Sequence, residues 1–286
     1  MGKGLAERYA VARAVFEEAD RVLGFPLSAL CFEGPEAALK LTENTQPALL
    51  TVSTAAFRVL AERGISPDYV AGHSLGEYSA LVAAGSLQFA DALRLVRKRG
   101  RYMQEAVPPG VGAMAALLRL PEGALDGILR DAALGEVVSA ANLNAPDQVV
   151  IAGNAGAVNR AMELAKAAGA RRAIPLQVSA PFHCALMKPA QERLASDLNG
   201  TNFSDLIFPL VNNWQAQEVH TGAAARQGLY EQVPNPVRWA ESIRYLAAQG
   251  VRRFVEVGAG GVLTGLLRSI DGSLEGSRFG DDAWLN

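Results

Sequence analysis

The sequence predicts an α/β fold with a mostly parallel sheet and a second, smaller domain inserted into it. Short apolar runs alternate with helical patterns over residues 1–106 and 181–286, which is the order typical of a parallel sheet. Residues 107–180 between them show a different order, β-α-β-β-α-β. The segment Pro108-Pro109-Gly110 and the residue Pro181 mark the hinges at its two ends.

The first part of the chain is predicted to hold four helices and one strand. Apolar residues at helical spacing, bounded by glycine or proline, predict helices over 6–23 and 46–63. Tyr69-Val70-Ala71 is too short for a helix and follows a turn, so we predict a buried strand there. Helical patterns resume over 75–84 and 89–107.

The inserted segment is predicted as a ferredoxin-like domain. Its β-rich runs alternate with two helical patterns in the split βαβ order. We predict strands over 112–120, 136–142, 148–152 and 173–179, and helices over 122–133 and 155–168.

The last part of the chain returns to the first pattern. We predict strands over 207–211 and 253–257, with a helix over 237–249 between them. The residues from Gly276 onward are expected to form a loose tail. The large domain is therefore discontinuous, built from 1–106 and 181–286 around the insert at 107–180.

Composition excludes several classes of protein. Half of the 286 residues are hydrophobic and a fifth are charged, as in an ordinary globular protein. A net charge of −2 gives no field that would attract nucleic acid or an anionic membrane. No uncharged run is long enough for a membrane helix, and two cysteines are too few for a disulfide framework. We expect a cytoplasmic protein without metal or other cofactor.

The segment Gly72-His73-Ser74-Leu75-Gly76 satisfies G-x-S-x-G, the nucleophile elbow. A predicted strand precedes it and a predicted helix follows, which is the context that this motif needs. Glycines flank Ser74, as a sharp turn requires, and the helix start offers free N–H groups to an oxyanion. The pattern therefore predicts that Ser74 is a nucleophile.

A serine nucleophile needs a base, and the chain has three histidines. His73 is next to Ser74 on a sharp turn, where neighbouring side chains point in different directions. His220 lies in a polar stretch typical of a surface loop. His183 follows the last strand of the insert and is the best candidate by elimination. No aspartate completes a triad, so a backbone carbonyl is expected to orient the imidazole.

The helix over 89–107 carries five basic residues, and Arg99 is the exception among them. On a helical projection Arg99 falls between Ala92 and Leu95, inside the apolar arc. A buried guanidinium needs a partner. The pattern leaves open a structural ion pair with a core carboxylate, snorkelling to the edge of the arc, or a bidentate clamp for a substrate carboxylate.

Five stretches together resemble the malonyl-CoA:acyl carrier protein transacylases and the related acyltransferase domains of fatty acid and polyketide synthases. In chain order they are GHSLGEYSALVAAG, VRKRGRYMQEAVPPGVGAMAAL, ANLNAPDQVVIAG, VSAPFHCALMKPA, and the region from NPVRW to EVGAGGVLTGL. They cover nearly the whole chain in family order. The resemblance implies an α/β-hydrolase-like large domain with a ferredoxin-like insert, in agreement with the pattern above.

The resemblance also implies roles for individual residues. Ser74 corresponds to the acylated serine, His183 to the catalytic histidine, and Arg99 to the arginine that pairs with the malonyl carboxylate. The Leu75 N–H would be one oxyanion donor, and the loop 232–236, with Gln232, would supply the carbonyl that orients the histidine.

Two further positions are implied to contact the substrate. Phe182 resembles the version of the site that selects malonyl over α-methylated groups, and Met103 follows in the R-G-x-x-M-Q match. The family opens with a strand and a loop F-P-G-Q-G-S-Q whose glutamine is a second oxyanion donor, whereas this chain begins with MGKGLAERYA. The resemblance leads us to expect a truncated chain.

The function that we expect is malonyl transfer from malonyl-CoA, through a malonyl-serine, to the phosphopantetheine thiol of acyl carrier protein in fatty acid biosynthesis. We expect a monomer whose partners are malonyl-CoA and the carrier. Two alternatives stay open. One is a serine hydrolase or thioesterase with the same elbow, and the other is a weakened carrier-binding remnant.

Overall fold

The structure, a computed structural model, describes residues 1–178 and 180–280 and is a mixed α/β fold. A larger body contains two small sheets surrounded by helices, and a smaller one is built on a four-stranded sheet. The helices, in chain order, are α1 (Lys3–Arg8), α2 (Ala10–Leu23), α3 (Leu27–Glu33), α4 (Glu36–Leu39), α5 (Thr42–Glu62), α6 (Leu75–Ala83), α7 (Phe89–Glu105), α8 (Ala124–Ala133), α9 (Ala155–Ala167), α10 (Lys188–Asn199), α11 (Gly222–Gln232), α12 (Trp239–Ala248) and α13 (Val262–Ile270).

The strands fall into three sheets. They are β1 (Val70–Ala71), β2 (Gly112–Leu118), β3 (Val138–Ala145), β4 (Gln148–Asn154), β5 (Arg172–Pro175), β6 (Leu210–Val211), β7 (Glu218–Val219), β8 (Arg253–Val257) and β9 (Glu275–Phe279). Strand β1 pairs in parallel with β6, which pairs antiparallel with β7. Strand β8 pairs in parallel with β9.

The sheet of the smaller body has the order β3-β4-β2-β5, and all of its pairs are antiparallel. The chain order β-α-β-β-α-β predicted for the insert is therefore present. Its boundaries differ by a few residues, most at β5, which ends at Pro175, and predicted strand residue Ser179 lies outside the described part of the chain.

The two faces of this sheet pack against different partners, because side chains alternate along a strand. Ala115 and Leu117 face a cluster with α8 and α9. Met114 and Ala116 face the opposite way and pack with Cys184. The segment that carries His183 is thereby covered by the smaller sheet.

The larger body differs from the single parallel sheet that the sequence predicts. Among residues 1–178 and 180–280, no strand pairs with both β1 and β8, so the parallel pairs stay in separate sheets. The parallel pairing itself is present in both.

Two other predictions about this body are wrong. Residues from Gly276 do not begin a loose tail, because 275–279 form β9 and hydrogen-bond along the whole length of β8; residues 281–286 lie outside the described part. The helix predicted over 6–23 breaks at Tyr9, whose backbone is extended. Arg63 holds Tyr9 there by donating to its hydroxyl at 2.8 Å, a tertiary contact that no local pattern reveals.

The close packing of α5 on α7 sets the place of the helix that carries Arg99. Gly100 permits it, because a Cβ at this position would lie 2.7 Å from the Thr42 carbonyl oxygen and 2.8 Å from the Glu43 Cα. Backbone lies directly against backbone here, so no side chain can move to make room.

Among the described residues, none of the helices combines the length and the apolar character that crossing a membrane requires.

We predict that Gly100→Ala lowers the free energy of unfolding by about 1–3 kcal/mol, the usual effect of overpacking a core. Gly265→Ala on α13 is the matched control, because a Cβ at that helical glycine meets nothing within 4 Å. The control should be neutral or stabilising, since alanine is the better helix former. Urea unfolding of both variants measures the difference, and equal stabilities would contradict the packing argument.

Candidate active site

Ser74 occupies a strained turn between β1 and α6. Its backbone has φ 51° and ψ −107°, outside the regions that L-residues ordinarily adopt. Gly72 makes the turn possible, because a Cβ there would lie 2.0 Å from the carbonyl carbon and oxygen of Gly76. Gly76 is not required in the same way, since a Cβ on it would meet nothing within 4 Å.

His183 lies next to the serine. Its Nε2 is 2.7 Å from Ser74 Oγ, and its Nδ1 is 2.9 Å from the backbone oxygen of Gln232. Since a carbonyl only accepts, Nδ1 carries the proton and Nε2 has the lone pair that faces the serine hydroxyl. Burial, and then the nearby Arg99 charge, lower the pKa of His183 to about 3. The imidazole is therefore neutral near pH 7 and able to accept a proton.

The backbone around His183 is also unusual, with φ 59° at the histidine itself. The preceding Pro181 packs against Gly112 at the start of β2, where a Cβ would lie 2.3 Å from the proline Cγ. The start of β2 thus meets the segment that carries His183, and this contact helps to hold the histidine.

Arg99 is buried, with 2% of its surface exposed. Its Nη2 donates to Ser74 Oγ at 3.0 Å and to Gln232 Oε1 at 2.9 Å, and its Nη1 donates to Gln46 Oε1 at 2.8 Å. The guanidinium carbon lies 5.5 Å from the centre of the Tyr78 ring. Neutral amide oxygens and an aromatic face therefore hold the cation beside the serine, and snorkelling to solvent is excluded.

Gln232, the last residue of α11, touches each part of the site. Its backbone oxygen accepts from His183 and its Oε1 accepts from Arg99. Its Nε2 lies 3.0 Å from the Ser74 backbone oxygen, 2.8 Å from Glu77 Oε2 and 3.1 Å from Asn213 Oδ1. The carbonyl expected in the loop 232–236 thus comes from a helix end.

The elbow is tied to the strand that runs beside β1. Asn213, two residues after β6, accepts from the Ser74 N–H at 2.7 Å and donates to the Gly72 oxygen at 2.6 Å. Its own N–H donates to Glu77 Oε2 at 3.0 Å. These bonds fix both sides of the strained residue.

Sequence reasoning missed Glu77, Asn213 and Gln46, and missed the side chain of Gln232. The available signal was weak. Glu77 is the one charged residue of α6, LGEYSALVA, which is otherwise apolar or small. The structure buries it completely, at 0% exposure.

Leu75, Phe182 and Met103, the remaining residues expected in the site, differ in their surroundings. The Leu75 N–H begins α6 and has no hydrogen-bond partner in the described part of the chain, as an oxyanion donor requires. Phe182 packs against both the large core and the smaller sheet. Met103 is 2% exposed and belongs to the large core, one helical turn after Arg99.

The other two histidines do not touch Ser74 Oγ. His73 Nε2 lies 2.8 Å from Asn144 Oδ1, and its ring lies 5.6 Å from that of Trp239. Burial lowers the pKa of His73. His220 is exposed and lies 2.9 Å from Glu218 at the end of β7.

A cavity of about 520 Å³ opens between the smaller sheet and the start of α13. The β3–β4 turn, with Asp147 and Gln148, forms part of its wall. That turn follows Asn144, which contacts the neighbour of Ser74. Three guanidinium side chains line the cavity, from Arg119, Arg171 and Arg172. The cavity wall thus combines three arginines with one aspartate.

This arrangement brings together a serine hydroxyl, a neutral imidazole and a free N–H at a helix start. Arg99 adds a fixed positive charge about 3 Å from the nucleophile, which fits an acyl group with an anionic end. Within the described residues, no group of three or more His, Cys, Asp and Glu side chains could hold a metal ion.

Comparison with known proteins gives a consistent picture. A family model described as "Acyl transferase domain" matches residues 1–271. The malonyl CoA-acyl carrier protein transacylase of Escherichia coli K12 is 50% identical over 278 residues, which are 97% of this chain and 90% of that protein. The protein of the same description from Bacillus subtilis 168 is 50% identical over 276 residues, 96% of this chain and 87% of that protein.

Solved structures agree in their backbone. The acyl carrier protein S-malonyltransferase of Vibrio cholerae superposes with a TM-score of 0.95 at 48% identity, covering 97% of this chain and 91% of that one. A malonyl-transacylase in complex with its type II polyketide synthase acyl carrier protein also gives 0.95 at 48% identity, covering 97% and 90%.

We predict that the two elbow glycines respond differently to the same substitution. Gly72→Ala should reduce labelling of Ser74 by a fluorophosphonate at least about tenfold, because the added Cβ collides with backbone and the turn must open. Gly76→Ala is the control and should stay within about twofold, because its Cβ meets open space. Equal labelling rates in the two variants would contradict the steric account.

Proposed function

The chain belongs to the acyl transferase domain family, and on that premise we propose that it moves a malonyl group from malonyl-CoA to an acyl carrier protein. The observation that carries the proposal is the buried Arg99 guanidinium, 3.0 Å from the hydroxyl of Ser74. An esterase for neutral acyl groups would lose free energy by keeping a desolvated cation there. The proposed pathway is fatty acid biosynthesis.

In the first half-reaction Ser74 is the nucleophile and His183 the general base. The Ser74 Oγ proton moves to His183 Nε2 as Oγ bonds to the thioester carbonyl carbon. The negative oxygen that results is stabilised by the Leu75 N–H and the positive end of α6. The carbon–sulfur bond then breaks, and His183 returns its proton to the CoA sulfur.

The second half-reaction repeats these steps with a different thiol. His183 takes the proton of the phosphopantetheine thiol, and the sulfur attacks the malonyl-serine carbonyl. When the Ser74 ester bond breaks, the proton returns to Oγ. Serine and histidine supply the nucleophile and the proton transfer for both halves, so we propose that no cofactor takes part.

Arg99 gives the site its preference for a carboxylated acyl group. Its two terminal nitrogens match the two oxygens of a carboxylate, and the apolar surroundings strengthen that pairing. Phe182 would crowd the α-carbon of the bound group and disfavour α-methylated acyl chains. Met103 would contribute from behind Arg99, through the packing of α7 rather than at the acyl group itself.

We propose that the arginine-lined cavity receives the phosphates of CoA. Arg119, Arg171 and Arg172 offer the fork-shaped donors that suit phosphate oxygens. The β3–β4 turn forms part of the wall of this cavity, and Asn144, just before that turn, contacts His73 next to Ser74.

The finer description of the fold is part of the same proposal. We propose an α/β-hydrolase-like domain of residues 1–106 and 181–286 and a ferredoxin-like insert of residues 107–180. The strand order β3-β4-β2-β5 and the strand-elbow-helix at Ser74 support it.

We also propose that the protein works as a monomer in the cytoplasm, with no nucleic acid or membrane partner. Ser74, His183 and Arg99 come from one chain, so the chemistry needs no second copy. Both cysteines, Cys31 and Cys184, are buried and unpaired, which suits a reducing compartment.

The test of the function follows the malonyl group itself. We expect one malonyl adduct in the intact mass of the protein after incubation with malonyl-CoA, and its transfer when holo-acyl carrier protein is added. Ser74→Ala should form no adduct, while Ser79→Ala, one turn on in α6, should behave as the wild type. Free malonate without malonylated carrier would indicate a hydrolase, and no adduct on the wild type would indicate a carrier-binding remnant.

We predict that Arg99→Ala lowers kcat/KM for malonyl-CoA about 30- to 4000-fold, the effect of losing one partner of a buried charge pair at about 2–5 kcal/mol. Reactivity towards acetyl-CoA should fall much less, because acetyl has no carboxylate. Arg94→Ala is the control on the same helix, since Arg94 pairs with Asp91 at the surface. An equal loss for both substrates would contradict the clamp assignment.

A further inference from the structure

Two charged side chains lie buried within the described part of the chain, and they have opposite signs. Of the Asp, Glu, Lys and Arg residues described, Glu77 is 0% exposed and Arg99 is 2% exposed, and the others all reach solvent further. The mechanism above uses Arg99 and leaves Glu77 without a role. A carboxylate is costly to bury, so its position calls for an explanation.

The two charges form no direct ion pair in residues 1–178 and 180–280, and one amide connects them. Arg99 Nη2 donates to Gln232 Oε1 at 2.9 Å, and Gln232 Nε2 donates to Glu77 Oε2 at 2.8 Å. The amide is polarised from both ends, with its oxygen on the cation and its nitrogen on the carboxylate. Arg99 therefore has a counter-charge in the core while its guanidinium still faces Ser74.

The same contact fixes which way the Gln232 amide points. Its Nε2 faces three oxygens, from Ser74, Asn213 and Glu77, and only the Glu77 oxygen belongs to a carboxylate. A reversed amide would set its oxygen against these three and its NH2 group against Arg99. Gln232 also provides the backbone carbonyl for His183, so its placement affects base and clamp together.

The other Glu77 oxygen strengthens the case. Oε1 is buried and has no hydrogen-bond partner among the described residues, and it lies near Gly228, where a Cβ would be 3.5 Å away. An ionised oxygen in that position is poorly solvated. Burial raises the pKa of Glu77 to about 7, although Asn213, Gln232 and the Arg99 charge lower it in part.

We propose that Glu77 is a positioning residue of the malonyl site, which orients the Gln232 amide and balances Arg99 until a substrate carboxylate arrives. The inference rests on the proposed function. It deepens that function by making the affinity for the carboxylated acyl group depend on the charge of a residue that never touches the substrate.

The sign of the coupling follows from counting charges. When a malonyl carboxylate binds Arg99, it adds a second negative charge to the one already on Glu77. Binding therefore raises the pKa of Glu77 further and favours the protonated form of Glu77. Malonyl-CoA therefore binds best while Glu77 is protonated, and its affinity falls as the pH rises through about 7. The other titratable groups facing Glu77 are Arg99, which stays charged, and Tyr78, whose pKa burial raises to about 12. Gln232, Asn213 and Gly228 complete its surroundings without charge.

The first experiment uses the wild-type enzyme alone. The KM for malonyl-CoA is divided by the inhibition constant of acetyl-CoA at each pH from 5.5 to 8.5, about 1.5 units either side of the Glu77 pKa. The ratio cancels the titration of the CoA phosphates, because both ligands carry them. It should rise with pH by up to about tenfold, the change that one unit of pKa coupling produces.

Two variants separate the charge of Glu77 from its hydrogen bonds. Glu77→Gln keeps an acceptor oxygen and loses the charge, so its ratio should be flat with pH. Glu77→Leu removes the acceptor too, so its kcat should fall about 10- to 100-fold. Circular dichroism and thermal unfolding establish that both are folded.

Asp20→Asn is the matched control. Asp20 also accepts from one backbone N–H and one side chain, those of Ser28 at the start of α3, but it lies outside the site. This variant should keep the wild-type ratio and its pH dependence. The comparison shows whether an effect is specific to the Glu77 carboxylate or follows from removing any hydrogen-bonded carboxylate.

The possible results divide cleanly. A wild-type protein that takes no malonyl group overturns the proposed function and the inference with it. An active wild-type enzyme with a flat ratio overturns the inference alone, even if neither Glu77 variant folds. The inference is also overturned if, in the Glu77→Gln enzyme, the ratio of the malonyl-CoA KM to the acetyl-CoA inhibition constant rises with pH as it does in the wild type.

Discussion

Burying a guanidinium beside a serine hydroxyl sets the strictest demand on how this chain packs. Arg99 is inserted into the apolar face of α7, where an uncompensated cation would cost several kcal/mol. The compensation comes from three separate parts of the chain: Gln46 on α5, Tyr78 on α6, and Gln232 at the end of α11, which links Arg99 to Glu77 on α6. The helix packing that brings these parts together, such as Gly100 against the start of α5, therefore serves the site as well as the core.

The site also holds strain at its two reacting residues. Ser74 and His183 both have positive φ, a conformation that non-glycine residues adopt at a cost of about 1–3 kcal/mol. Ser74 is fixed by the bond from its N–H to Asn213 Oδ1, and the packing of Pro181 on Gly112 helps to hold His183. Because the smaller sheet covers the segment after Pro181, that sheet takes part in placing His183. The result is a donor–acceptor pair at 2.7 Å between Ser74 Oγ and His183 Nε2.

Many features of the fold and of the candidate site could be predicted from local sequence. The features that could not be predicted depend on contacts between residues far apart in the chain. The elbow at Ser74 depends on neighbouring residues, so G-x-S-x-G between strand and helix patterns was enough to find it. Arg99 was visible because helical geometry alone decides which face a residue occupies. Strand β9 was missed because its EGSRF sequence is polar, and only pairing with β8 makes it a strand. Glu77 was missed because a single carboxylate in an otherwise apolar helix is equally compatible with a position at the surface.

Local sequence patterns were enough to predict the element order of the smaller body, the strand–turn–helix around Ser74, the buried position of Arg99 and, through the motifs, the family. Each of these follows from residues that are adjacent or repeat with the period of a helix or strand. Only the tertiary structure decided that Gln232 supplies both a carbonyl to His183 and an amide between Arg99 and Glu77. Those contacts join residues 49 to 155 positions apart, and their energies depend on distance in a medium from which water is excluded. No pattern along the chain contains that information, because the dielectric environment exists only once the chain has folded.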